Sequence, residues 1–240
     1  MKDNSMTKKY IIPLCHSCES KFDSIFSALK PAELEQLAQN KCGNIYKKDQ
    51  VVFYEGHIAT GLYCINKGRV KIYKANHEGK QQIIRLAKEG DVIGYASMIT
   101  GEAYSCSAEA LEDAMVCFIP KNVFLGIVHS SSDLFMKLIQ LLSRDMKETE
   151  NRFITMAQNT VRERLAEALL MLKEFCGHDD LQGLNIALSR QDIANIVGTS
   201  TETTIRLLAD FKDEKLIDFI GKKIKILDQR ALIKAANLSD

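Results

Sequence analysis

The spacing of apolar residues divides the chain into stretches of different period. Phe22, Ile25, Phe26, Leu29, Leu34 and Leu37 recur at helical intervals, and Pro31 between them suits the first position of a second short helix. From about residue 44 to 120 the texture changes to short runs rich in Val, Ile and Tyr, punctuated by Gly56, Gly61, Gly68, Gly79, Gly90, Gly94 and Gly101. That rhythm predicts strands over 50–54, 62–65, 69–73 and 81–86, with hairpin turns at Asn66-Lys-Gly68 and Asn76-His-Glu-Gly79. A β-roll or small barrel is the expected arrangement, because closure hides strand edges.

Farther on, Phe135, Ile139, Leu142, Met146, Thr149, Phe153 and Met156 fall alternately four and three residues apart. A seam of that period is narrower than the stripe by which a helix packs on its own domain, so it predicts a long helix paired with a second copy of itself. Val161, Leu165, Leu169, Leu172 and Phe175 mark the inward face of the next helix, which should end at Gly177. Over 189–208, Ile193, Ile196 and Val197 on one short helix and Leu207 and Leu208 on another flank Gly198, the signature of a helix-turn-helix. Ala194 is small where the two helices would cross, Gly198 permits the positive φ of the turn, and Ser189 and Ser200 stand where each N-terminus needs a cap. Apolar runs over 216–220 and 224–227 around Gly221 add a hairpin wing.

The expected fold class is therefore α+β. Its parts are an N-terminal segment with helices over 1–43, a β-roll sensor domain over 44–129, a dimerisation helix over 130–158 and a winged helix-turn-helix over 159–240. The outward face of the second short helix offers Thr201, Glu202, Ile205 and Arg206 at the level where a helix in a major groove meets base edges. Ser200, Thr203 and the wing lysines Lys222, Lys223 and Lys225 are the expected phosphate contacts, which set register without reading sequence.

With 32 basic and 31 acidic residues in 240, the chain has no bulk positive field, so binding to DNA must rest on these local groups. No run approaches the ~18 apolar residues of a membrane span, and Met1 to Tyr10 lack the apolar core of a signal peptide, so a cytoplasmic location with no membrane partner is expected. Seven cysteines without a secreted-domain spacing argue for reduced thiols and against a disulfide framework. His16, His57, His77, His129 and His178 share no metal spacing, and the chain has no P-loop, no Gly-x-Ser-x-Gly and no paired-carboxylate signature. Catalysis is not expected.

Three stretches, Glu89-Gly-Asp-Val-Ile-Gly94, Asp113-Ala-Met-Val-Cys-Phe-Ile-Pro120 and the helix-turn-helix, in this order of parts, resemble the bacterial regulators typified by the cyclic-AMP receptor protein and the fumarate and nitrate reductase regulator. The resemblance implies a β-roll of the cyclic-nucleotide-binding type, a homodimer on an inverted DNA repeat and contact with RNA polymerase. It also implies that Glu202 and Arg206 read a G·C pair within a TGA-containing half-site, a carboxylate accepting from cytosine N4 and a guanidinium donating to guanine O6 and N7. Thr201 and Ile205 depart from the patterns of the two subfamilies, which leaves the outer bases open; Ile205 is suited to a thymine methyl.

The same resemblance locates an effector pocket at Gly94, Tyr95, Ala96, Ser105 and Cys106. Tyr95 replaces the Glu that holds a cyclic nucleotide's ribose, and Ser105 and Cys106 replace the Arg-Ser pair on its phosphate, so cyclic AMP is not the expected effector. In the iron–sulfur pattern of the family, Cys-x-x-Cys-x5-Cys plus one Cys at the end of the roll, Cys15, Cys18 and Cys117 match while the remaining slot is Ser24. A cluster, a zinc ion on Cys15 and Cys18, or thiols with no metal all remain open, and the cofactor is unassigned.

Overall fold

The computed structural model describes residues 13–181 and 183–238; the N-terminal segment scanned for a signal peptide lies outside them. The chain forms two compact units, Met1–Lys74 with Arg85–Ser143, and Ala75–Ile84 with Arg144–Asp240.

In the first unit, short 3-10 turns at Cys15–Ser17, Glu19–Lys21 and Ile25–Ala28 lead into α1 (Pro31–Asn40), with Pro31 in its first turn. The regular helix expected ahead of Pro31 does not form. Ser24 accepts the Phe26 N–H at 3.4 Å and starts a separate turn, a local side-chain bond that competes with continuous helix and leaves Phe22 exposed. Strands β1 (Cys42–Tyr46), β2 (Val51–Phe53), β3 (Gly61–Lys67), β4 (Val70–Ala75), β5 (Gln81–Ala87) and β6 (Val92–Ile93) follow, then α2 (Tyr95–Thr100), β7 (Ser107–Ala110) and β8 (Ala114–Pro120). They form two four-stranded sheets, ordered β1-β8-β3-β6 and β2-β7-β4-β5.

The predicted runs thus coincide with strands to within two residues at each end, and the roll fills its interior from both sheets. Leu62, Ile65, Val70, Ala108 and Ile119 are buried there, with α3 (Lys121–Ser130) adding Phe124 and Ile127. Each such large side chain contributes roughly 1.5–3 kcal/mol by leaving water. The sequence pattern had not anticipated α3, which lies in the stretch assigned to the roll; between it and the long helix α4 (Ser132–Gln158) Ser131 is extended, and its hydroxyl accepts the Leu134 N–H. Leu134 and Leu138 of α4 join the core of the roll, a face distinct from the heptad seam.

The second unit contains α5 (Val161–Cys176), α6 (Arg190–Val197), α7 (Thr201–Asp213), a two-stranded hairpin of β9 (Ile217–Ile220) and β10 (Lys223–Ile226), and α8 (Gln229–Ala235). Leu165, Leu169 and Leu172 face inward as their spacing predicts. Thr160 and Glu163 form a capping box at the start of α5, each side chain bonding the other's backbone N–H. Helix α8 was not anticipated; Asp228 caps it and Leu232 is fully buried, so its place comes from packing on α5 more than from an apolar period of its own.

Candidate nucleic-acid interface and thiol-lined cavity

The helix-turn-helix is assembled by local chemistry before any ligand is considered. Ser189 accepts the Asp192 N–H at 2.9 Å and caps α6, Gly198 ends it at φ 74°, and Ser200 accepts the Thr203 N–H at 3.1 Å to cap α7. Ile193, Ala194, Ile196, Val197, Leu208 and Phe211 are buried between the helices, with Ala194 fully enclosed where a larger side chain would force them apart. Arg164 at the start of α5 donates from Nε to the Val197 carbonyl at 2.9 Å and from Nη1 to that of Asn159 at 2.8 Å, which satisfies carbonyls at two helix ends. Arg162 pairs with Glu214 and lies over the Phe211 ring, bracing the far end of α7.

On this frame Glu202, Ile205 and Arg206 project into solvent from the first two turns of α7, and no ion pair among the described residues engages Arg206. The Glu202 carboxyl is held below its ordinary range by its own backbone N–H and by Ser200, so it is ionised at neutral pH, the form that accepts from a base amine. Thr201 is placed differently from its neighbours: it is half-buried, and its hydroxyl donates to Gln191 on α6 at 2.7 Å. Of the expected phosphate contacts, Ser200 and Lys222 are exposed, whereas Thr203 and Lys225 are half-buried. Lys223 is drawn into an ion pair with Asp179 at 2.7 Å, which anchors the wing to the loop after α5. Arg190, which sequence reasoning passed over, stacks on Phe219 of the wing with 4.7 Å to the ring centroid, and burial lowers its pKa.

The heptad residues Phe135, Ile139, Met146, Thr149, Phe153 and Met156 are exposed in the single chain, Phe153 at 74%, and Leu142 is half-buried. The single chain thus leaves a stripe of large apolar side chains in contact with water along α4.

In the β-roll the expected effector residues differ in exposure. Tyr95 turns into the core, Ala96 and Ser105 are exposed, and Cys106 is half-buried. Buried Tyr104 donates to the Gly61 carbonyl at 2.8 Å and stacks on Phe53 with ring centroids 4.2 Å apart. A Cβ at Gly94 would already stand 3.0 Å from the Tyr104 ring. Aromatic side chains therefore occupy the space beside Gly94.

A cavity elsewhere in the first unit is lined by Cys15, Cys18, Cys64 and Cys117 together with Lys41 and Asn66. Asn66 Nδ2 donates to Cys18 Sγ at 2.9 Å, and Lys41 Nζ to Cys117 Sγ at 3.5 Å and to the Pro13 carbonyl at 2.7 Å. Burial pushes the thiol pKa values of Cys15, Cys64 and Cys117 up, while Lys41 pulls those of Cys15 and Cys117 part of the way back. Cys64 carried no signal in the sequence; only the sheet register reveals its place beside the other three.

Residues 44–131 match the cyclic nucleotide-binding domain family and residues 163–235 the Crp-like helix-turn-helix domain family. The chain is 30% identical over 222 residues to electron transport regulator A of Shewanella oneidensis, covering 91% of this chain and 88% of that protein. The chain belongs to the CRP/FNR family of transcriptional regulators. The fumarate and nitrate reduction regulatory protein of Vibrio cholerae is 29% identical over 94% of this CRP/FNR-family chain and 91% of its own length. FixK2 from Bradyrhizobium japonicum shares the fold, with a TM-score of 0.74, 24% identity and coverage of 83% of this chain and 99% of its own. A CRP/FNR-family regulator from Thermus thermophilus gives a TM-score of 0.70 at 25% identity, over 82% of this chain and 98% of its own. The relatives are regulators of transcription and not enzymes, and this CRP/FNR-family chain is a DNA-binding transcriptional regulator. Among the described residues no helix is long and apolar enough to cross a membrane.

Proposed function

We propose that this regulator works as a homodimer on an inverted repeat with TGA-containing half-sites, Glu202 and Arg206 reading one G·C pair in each. The observation that carries the reading is their joint exposure on the first two turns of α7, with the carboxylate ionised and the guanidinium outside any ion pair among the described residues. Exposed Ile205 suits a thymine methyl beside them, and Ser200, Thr203, Lys222 and Lys225 suit the phosphates. The unpartnered seam from Phe135 to Met156 supports the dimer, and two-fold pairing sets half-sites one DNA turn apart, ~34 Å. Contact with RNA polymerase is what the family resemblance implies for such a protein. Fluorescence anisotropy with an inverted repeat, a single half-site and a scrambled duplex tests this. The repeat is expected to bind most tightly, with affinity falling steeply as salt rises; equal binding to all three duplexes would falsify it.

A second reading concerns the signal. Tyr104 and Phe53 pack beside Gly94 in the expected effector region, while thiols line a separate cavity, which favours a redox-responsive thiol or iron–sulfur site on Cys15, Cys18 and Cys117 over a cyclic nucleotide. The donor set suits such a group: thiolate ligands, with Lys41 and Asn66 donating to sulfur to offset their charge. When bound, an iron–sulfur cluster supplies sensitivity to oxidants.

A further inference from the structure

We propose that Cys15, Cys18, Cys64 and Cys117 together form a four-thiolate site for an iron–sulfur cluster, with Cys64 as the ligand that position 24 does not provide. The inference rests on the cluster reading above and adds a residue to it. Cys64 and Cys117 are direct partners across antiparallel β3 and β8. Paired residues project from the same face of a sheet with Cβ atoms ~4.5–5.5 Å apart. Cys15 and Cys18 bracket a single 3-10 turn, Cys18 N–H donating to the Cys15 carbonyl, and both line the same cavity as the two strand thiols. Of the remaining cysteines, Cys42 is exposed and neither Cys106 nor Cys176 lines this cavity.

Ser24 explains why the fourth thiol comes from a strand. It is buried, its hydroxyl is committed to capping the Ile25–Ala28 turn, and it lies beside the Cys64 thiol. The thiol absent at residue 24 is therefore present at the neighbouring side chain. Among the described residues no three His, Cys, Asp or Glu are grouped as for a single metal ion, whose thiolates, each ~2.3 Å from the metal, would stand ~3.8 Å apart. A cubane binds each thiolate through a different iron and needs ligands spread around a cavity. Assembly balances without a redox step: two ferrous, two ferric and four sulfide ions form a cluster of charge +2, and four thiols release four protons to solvent as they bind. The site then carries a charge of −2, which Lys41 and the Asn66 amide oppose.

The test uses the full chain, purified without oxygen, reconstituted with equal ferrous and ferric iron and sulfide, and desalted. Iron, acid-labile sulfide and visible absorbance are then measured. The unsubstituted protein is expected to hold about four irons per chain and Cys64→Ser less than about half as many. Cys42→Ser is expected to load normally, and the double variant Ser24→Cys, Cys64→Ser to recover full loading by moving the thiol to the adjacent position. Full loading in Cys64→Ser overturns the ligand assignment and leaves the cluster reading standing. No iron in the unsubstituted protein overturns both. Because Cys64→Ser could act through folding, its thermal unfolding is measured as well. Loss of iron at an unchanged unfolding temperature supports the assignment; loss with a lowered temperature and no recovery in the double variant overturns it.

Discussion

The Thr201 hydroxyl donates to the Gln191 side-chain oxygen at 2.7 Å, and Gln191 donates in turn to Asn195 at 2.8 Å. This chain of bonds ties the first turn of α7 to α6. We expect this bond to make Thr201 a positioning residue for its neighbour Glu202, with the base contact suggested by its place along the helix as the alternative outcome. Thr201→Val is expected to cost ~0.5–1.5 kcal/mol in unfolding free energy and to weaken binding by the same factor on cognate and point-altered DNA. Denaturant titration and anisotropy check this; a loss confined to one base pair would make Thr201 a base reader instead.

Arg206 offers the opposite profile. It is exposed and in no ion pair among the described residues, as a side chain that is to reach guanine must be. Arg206→Ala is expected to cost ~1–3 kcal/mol at the cognate site and to relax preference at one base pair. Lys222→Ala, at a proposed phosphate contact, should weaken all duplexes alike and reduce the salt slope. If Arg206→Ala weakens cognate and scrambled duplexes equally, its role as a base reader is lost.

The seam on α4 can be tested without DNA. Phe153 and Met146 are exposed at 74% and 62%, so neither supports the fold of a single chain. Phe153→Asp or Met146→Glu should leave thermal unfolding of the monomer intact while shifting the sedimentation profile toward monomer and lowering affinity for the inverted repeat. Undiminished dimer at micromolar concentration would remove the seam from the interface.

Acid should loosen the second unit in a defined direction. The carboxyl of Asp179 is held low chiefly by its hydrogen bond from Lys223, that of Asp218 by Lys212, and that of Glu163 by the Thr160 backbone N–H. A group whose pKa is lower folded than unfolded stabilises the fold above its unfolded value and loses that contribution as the pH falls through its folded value. Stability should therefore be level near neutrality and decline below the ordinary carboxylate range. All three are half-buried surface groups, with the Asp179 side chain the least open at 17% exposure, so added salt should flatten the decline, least of all for the Asp179 pair. Asp179→Asn should remove part of it, measured as the change in unfolding temperature between neutral and acidic buffer; an unchanged acid profile would show that the wing anchor contributes nothing.

Local rules carried the sequence reading a long way. Caps at Ser189 and Ser200, the positive φ at Gly198, Pro31 in the first turn of α1 and the strand runs of the roll are all decided by neighbours along the chain, and all stand in the structure. The long helix α4 was legible for the same reason, since a heptad spacing depends only on helix geometry. Local rules failed where a short side-chain bond outcompeted helical period, as at Ser24, and where packing alone supplied the order, as at α8.

The candidate sites divide along the same line. Glu202 and Arg206 could be named from sequence because residues four apart on one helix share a face. The commitment of Thr201 to Gln191 and of Lys223 to Asp179 could not, since those partners are 10 and 44 residues away. Nor could the meeting of Cys64 with Cys117, Cys15 and Cys18, which depends on the register of β3 against β8 and on where the N-terminal turns rest. Period and capping are short-range properties that the chain states by itself. Convergence of distant side chains on one cavity is set by strand pairing and burial, and only the tertiary structure decided it.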